Sequence, residues 1–285
     1  MNQEFEESKE VSQKSPFAGC AILIMAVSVM LFLVVFSVVV LFRQFNAIAK
    51  FTEEKPAKIE VIALEDREPE LNLLTEKLET FRLAVVDGKS AVLELDPAEI
   101  NLAIAAYGDF KDLRGMFSVR EITKERIFFD ISFRLNGKPR LARAGEKGII
   151  GSDPRYLNGI LVAEPGLLNQ EVVLQVRDIE VKKKTVPKEF IEQMSPYRIA
   201  ERYVGSGGIG EVMAKLTNVS LGDGAIRFET ISGELPKDTI TDQQVDDASR
   251  RLFTVLGIAA SVFLFFVAIV LFLGMRLKKR REGAV

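Results

Sequence analysis

The chain has 285 residues, 48% of them hydrophobic, with 38 basic and 40 acidic side chains and a formal net charge of -2. It contains no histidine, no tryptophan and a single cysteine, which excludes a Ser-His-Asp triad, an imidazole or cysteine-clustered metal centre and an intramolecular disulfide. The near balance of charge leaves no basic footprint for nucleic acid, so nucleic acid is not expected as a partner.

Residues 1–16 set Glu4, Glu6, Glu7 and Glu10 against Lys9 and Lys14 without apolar periodicity, and read as a short tail. Phe17–Phe42 then runs for 26 residues without a charge, long enough to cross a bilayer core as a helix. Phe17-Ala18-Gly19-Cys20 looks like a lipoprotein processing site, but a modified cysteine follows the apolar stretch, whereas Cys20 precedes it. Ala47-Ile48-Ala49 has the small-x-small form that signal peptidase cuts. A cleavable signal has an apolar region of about 7–15 residues, far shorter than this one, so an uncleaved signal anchor is the expectation.

A mixed linker covers 43–67, with a short strand expected over Lys58–Leu64. Pro69 opens a helical pattern that places Leu71, Leu74, Leu78, Phe81 and Val85 on one face and stops at Gly88. Ala91–Leu95 reads as a strand. In Asp96-Pro97-Ala98-Glu99, an acid at the N-cap, proline at N1 and glutamate at N3 make a helix start, so these carboxylates are capping groups and not a catalytic pair. Asn101 lies beside the apolar face of Ile100, Ala103 and Ile104, where it needs partners, and the backbone of an adjoining strand is the expected one.

Arg126–Leu135 alternates apolar and polar residues as a half-buried strand does, and Asn136-Gly137 reads as a hairpin turn returning the chain through Lys138–Arg143. A polar loop is expected over Gly145–Pro154. Within Glu171–Val181 the apolar phase changes between Val176 and Ile179, which calls for a bulge near Arg177 and Asp178. Pro187–Met194 and Pro196–Val204 read as two short helices opened by proline. Leu216–Leu221 and Ala225–Ile231 form a hairpin around Gly222-Asp223-Gly224.

A polar lead, 239–251, precedes a second uncharged run, Leu252–Met275, of 24 residues. Arg276, Lys278, Lys279, Arg280 and Arg281 follow it and fix the orientation, because basic residues beside a membrane helix favour the cytoplasmic side. With two spans both termini are then cytoplasmic, and 68–238 is an extracytoplasmic domain across the cell membrane. Gly257 and Ser261 form a small-xxx-small pair suited to close helix contact, including self-association. Neither span carries an ionisable residue of the kind that marks a transport pathway.

Chemical motifs are few. Gly205-Ser206-Gly207-Gly208-Ile209-Gly210 fits a dinucleotide fingerprint and, with Glu211-Val212, a kinase glycine loop. A dinucleotide site needs a buried strand before the glycines, and a proline-started helical stretch precedes them here. A kinase needs a histidine-containing catalytic loop, which this chain cannot supply. Asp242, Asp246 and Asp247 lack the glycine and terminal glutamate of a calcium loop and read as solvated. No catalytic residue, metal ligand or cofactor site is therefore assigned.

The run Leu93-Glu94-Leu95-Asp96-Pro97-Ala98-Glu99-Ile100-Asn101, with Arg155-Tyr156-Leu157-Asn158 and Thr185-Val186-Pro187-Lys188-Glu189-Phe190, resembles a pattern seen in uncharacterised bacterial membrane-anchored proteins. The resemblance implies a bacterial origin, an extracytoplasmic α+β domain, and the marked asparagines and tyrosine as fold determinants. Such proteins tend to have one N-terminal span, a pattern from which the second span departs.

The expected fold is α+β: a curved antiparallel sheet with helices packed on one face, flanked by two transmembrane helices. The expected function is a non-enzymatic binding or assembly module beside the lipid bilayer, with an envelope protein or an amphiphile as partner. A second reading places a lipid or amphiphile in an apolar groove between the sheet and the Pro69–Val85 helix, lined by Leu71, Leu78, Phe129 and Phe133. A third is an enzyme working with carboxylates alone.

Overall fold

The computed structural model describes residues 16–205 and 207–240. The second apolar run, the basic cluster from Arg276 to Arg281, the Gly257 and Ser261 pair, the N-terminal tail and the Asp242 to Asp247 acids lie outside the described residues. Of the described residues, those up to Gln44 belong to one compact unit and those from Phe45 onward to a second.

The first unit holds most of α1 (Pro16–Phe51), which is long and apolar enough to cross a membrane. It is the one such helix among the described residues. Ile24, Met30, Leu31 and Val39 are each about three-fifths exposed along it. Uncovered apolar surface of that extent is what a membrane-spanning helix presents to lipid.

The second unit begins in the last turns of α1. The helix does not end near Phe42, where the linker was expected to begin, but runs nine residues further to Phe51, which is buried against Phe190 at a ring separation of 4.9 Å. The strand expected over Lys58–Leu64 does not form; an isolated bridge between Glu53 and Tyr156 is the only ladder pairing in 52–67.

α2 (Glu68–Val86) starts as the sequence predicts, with proline in its first turn and Glu68 and Glu70 at the positive end of the helix dipole. Leu74, Phe81 and Val85 are its buried side chains. β1 (Ala91–Leu95) leads into α3 (Pro97–Ala106) through a complete capping box, Glu99 N–H donating to Asp96 Oδ1 (2.8 Å) and Asp96 N–H to Glu99 Oε2 (3.0 Å).

Five antiparallel strands follow in the spatial order β2 (Phe117–Ile122), β3 (Ile127–Leu141), β4 (Ile150–Leu168), β5 (Glu171–Val181), β6 (Lys184–Thr185). β7 (Asn218–Leu221) and β8 (Ile226–Thr230) return to pair with β1, giving a second, three-stranded sheet in the order β1-β8-β7. The expected single sheet is thus two. Leu93, Val219 and Ile226 from the small sheet share one core with Phe117, Ile131, Leu161 and Val176 from the large one. The large sheet curls strongly, and each pair along β2 to β5 carries a register shift that bends it. The shift between β4 and β5 leaves Arg177 unpaired, where the change of apolar phase calls for a bulge.

The hairpin expected at Asn136-Gly137 is corrected. β3 continues through both residues to Leu141, with a shift of register against β4 between Asn136 and Pro139, and the chain turns at 142–149. A two-residue turn needs positive φ at both positions, and neither residue has it. Gly137 instead permits a close approach, since a Cβ there would lie 2.3 Å from the Asp153 carbonyl oxygen. The tight turn with positive φ at both residues is Asn169-Gln170, between β4 and β5. α4 (Lys188–Met194) forms with Pro187 as its cap rather than its first residue. The second short helix expected from Pro196 does not form: Tyr197 bridges to Leu174, which takes that backbone out of helical bonding, and only a 3-10 turn at Glu201–Tyr203 remains. The glycine run leads into a five-residue helix, α5 (Ile209–Met213).

Candidate binding groove

The polar residues of β3 and β4 that alternate with the core all reach the outer face of the large sheet. There the segment 53–60 lies over the strands and closes a groove of about 690 Å³. Ala57 N–H donates to Ser132 Oγ (3.2 Å) and to Asn158 Oδ1 (3.0 Å), and Asn158 Nδ2 donates to the Lys55 carbonyl and to Glu53 Oε2, both at 2.9 Å. Ser132 is buried on a face that the alternation predicts to be wet, because this segment covers it.

The groove floor carries a forked ion pair, Arg120 Nε to Asp130 Oδ2 at 3.1 Å and Nη2 to Oδ1 at 2.5 Å. The hydrogen bond to the Asp130 carboxylate holds the Arg120 guanidinium above its ordinary pKa. Lys58, Glu180 and Lys182 add charges of both signs, and Ile59 and Ile160 lie among them. Walls of mixed charge interleaved with aliphatic groups suit an extended peptide or an amphiphile carrying a polar head. Among the described residues no cluster of three metal-ligating side chains occurs.

The four residues of the expected apolar groove are divided between two clusters. Phe129 is buried and stacked on Phe117 at 4.5 Å, and Phe133 stacks on Phe117 at 6.3 Å and on Tyr197 at 5.5 Å, so these two meet on the inner face of the large sheet. Leu71 packs with Leu74, Leu102 and Ala103 in a smaller cluster, and Leu78 touches both. α2 packs mainly on β1, α3 and α5.

No known family, curated protein or solved structure matches the chain. Its site must therefore be read from its own geometry. The residue that sequence reasoning passed over is Arg155 on β4, whose side chain is about one-fifth exposed. Its guanidinium donates to Thr52 Oγ1 (3.1 Å), the Thr52 carbonyl (2.7 Å) and the Ala49 carbonyl (3.1 Å), while Lys184 Nζ also donates to Thr52 O (3.0 Å). Two cations thus meet the Ala49 and Thr52 carbonyls at the negative end of α1. The Arg155-Tyr156-Leu157-Asn158 run was the available signal, since three of its four members bond residues 49–57.

Proposed function

We propose that the chain is an envelope protein with two membrane spans, both termini cytoplasmic, whose central domain is a non-enzymatic binding or assembly module held beside the bilayer. The observation that carries this reading is how the domain is fastened to the chain at both ends. The last turn of α1 is clamped by Arg155 near one end of β4, and at the other end Thr239 bonds Leu167 through both N–H (2.9 Å) and Oγ1 (3.4 Å) while Ile240 is buried. A single strand therefore receives both segments that lead toward the apolar runs. Such fastening serves a module whose position relative to its anchors matters, as it does in assembly. The absence of histidine and the resemblance to membrane-anchored bacterial proteins support the same reading.

The groove is the binding surface of this module. A photo-crosslinking residue replacing Lys58 or Lys182 in cells is expected to give a discrete adduct, and one replacing Lys89, on the exposed turn after α2, to give none. Adducts equal at all three positions, or at no position, would defeat the assignment. Ile59 and Ile160 favour a second reading, an amphiphile in the same groove. Native mass spectrometry of gently extracted protein separates the two, because an amphiphile leaves a defined added mass that Ile160→Asp removes.

A further inference from the structure

Beyond Asn136 and Pro154, β3 and β4 continue as a two-stranded arm that neither β2 nor β5 accompanies. Its tip displays Leu141, Ile149 and Ile150 at 77%, 81% and 71% exposure, three large aliphatic side chains at one turn. An aliphatic tip of this kind in a polar loop normally collapses or is covered. Here it is held open from within. Arg140 forks onto Glu146 (2.7 and 2.8 Å) and reaches Asp153 at 2.8 Å, Arg143 N–H donates to Glu146 Oε2 (2.8 Å), and Ala142 N–H donates to the Ile149 carbonyl (2.9 Å). The Arg140 guanidinium, with the Arg143 amide, pulls Glu146 down to about 2, so this lock stays closed at any physiological pH.

The acids of the arm are spent on that lock, and Lys138, Arg143 and Lys147 are exposed on the same arm as the aliphatic groups, Arg143 sharing Asp153 at 3.2 Å. Residues 138–153 hold four basic residues against two acidic ones, a positive excess within a chain whose net charge is negative. Exposed aliphatic groups that share a short arm with exposed lysine and arginine are complementary to one surface in particular, an anionic bilayer, where the side chains enter the acyl boundary and the cations meet the headgroups. The clamp at Arg155 is five residues from Ile150, so the tip lies about 17 Å along β4 from the residue that holds the end of α1.

We infer that the β3–β4 tip is a membrane-contacting finger that inserts Leu141, Ile149 and Ile150 into an anionic bilayer, a second contact additional to the apolar helix. The inference rests on the membrane anchoring proposed above, and the test separates the two. The chain has no tryptophan, so a single introduced one reports alone. The full chain is placed in nanodiscs of equal parts brominated phosphatidylcholine and phosphatidylglycerol, carrying Ile149→Trp at the tip, Leu31→Trp on α1 or Leu73→Trp on the exposed side of α2.

Bromine quenching of the first two and not the third is the expected result. Replacing phosphatidylglycerol by the neutral lipid, or adding Lys147→Gln, is expected to lower the docked-to-free ratio, the substitution by about fivefold. Quenching at Leu31→Trp without quenching at Ile149→Trp overturns the finger and leaves the anchor standing. Quenching at neither overturns the anchoring itself. Quenching at Ile149→Trp and Leu73→Trp alike overturns the assignment to the tip. A blue shift at Ile149→Trp without quenching shows that protein covers the finger, and also refutes the proposal. Ile149 is so exposed that the substitution leaves the lock beneath it intact.

Discussion

Arg155→Met tests whether the domain really grips α1. Methionine keeps the length of the aliphatic stem and removes the guanidinium, with its bonds to Thr52 Oγ1, Thr52 O and Ala49 O. Thr52 O keeps Lys184, so the groups left poorly satisfied are the Ala49 carbonyl and the Thr52 hydroxyl, which still bonds the Ile48 carbonyl. A hydrogen bond from a charged donor contributes about 1.5–3 kcal/mol and a cation at a helix C-terminus about 0.3–1 kcal/mol, and these overlap, so local opening becomes easier by about 2–4 kcal/mol. Hydrogen exchange reads this at the Glu53 and Tyr156 amides, which bond each other's carbonyls at 2.8 and 2.7 Å. Their exchange is expected to accelerate by about thirtyfold to several hundredfold, the change that follows from that free energy when the segment opens locally. The Ile131 and Leu161 amides, on the interior strands β3 and β4, are expected to change far less. Wild-type exchange at Glu53 and Tyr156 in a folded variant would refute the clamp.

Glu171 is buried, bonds Arg198 through Oε1 and has no partner for Oε2 among the described residues. Arg198→Ala is therefore expected to destabilise by about 2–4 kcal/mol, less than for a fully buried pair because the arginine is half exposed, and Glu171→Gln in the same chain to restore part of the loss; thermal unfolding of both variants checks it. Gly159→Ala places a Cβ 2.3 Å from the Glu180 carbonyl oxygen, so β4 and β5 must separate there, and a fall in stability of about 1–3 kcal/mol is expected from denaturant titration. Cleavage at Ala49 would cut a helix whose Ile48 packs on the core, so the intact mass of the mature protein is expected to be the full 31.8 kDa; a protein beginning at Lys50 contradicts that. Burial raises the Tyr197 pKa above 10.0, so its contribution is whole below about pH 10 and declines as the pH rises through the shifted value, where only the unfolded chain ionises freely. Tyrosinate absorbance is expected to show Tyr197→Phe removing a group that titrates above the ordinary tyrosine range, and unchanged titration would contradict it.

Where a local rule had a single physical solution, the sequence was legible. The Asp96 and Glu99 capping box, the bulge at Arg177 and the need of Asn101 for strand backbone are all local statements, and Asn101 meets Val119 O at 2.7 Å and Val119 N–H at 2.8 Å. Asn136-Gly137 misled because the same dipeptide serves a tight turn or a close cross-strand approach, and only the partner strand decides between them. The second sheet was hidden because β1 and β8 are about 130 residues apart, and pairing at that separation leaves no local trace. The groove shares this origin: Ser132 and Asn158 read as wet strand residues until a segment some 75 residues and more away covers them. Of the four expected groove residues, the sequence placed each on an apolar face without saying which faces meet.

The blocked edges of the large sheet narrow the ways in which the domain assembles. Asn101 occupies both backbone groups of Val119 on the outer side of β2, as a neighbouring strand would. At the other edge, Tyr197 pairs with Leu174 and Ser195 Oγ accepts from the Val176 amide, so β5 is closed beyond the short β6. An open edge would add a strand from any chain of suitable sequence and invite uncontrolled association. With both edges occupied by side chains or irregular backbone, recognition passes to surfaces that carry specific side chains. In the proposed reading those are the groove with its Arg120 and Asp130 fork and the finger with its locked aliphatic tip. The arm itself is unpaired on both sides beyond Asn136, yet Lys138 and Pro139 stand in β3 there, a charge and a missing donor that also discourage strand addition. Under the proposed function, a module built this way would select partners by chemistry at its face and tip rather than by strand addition.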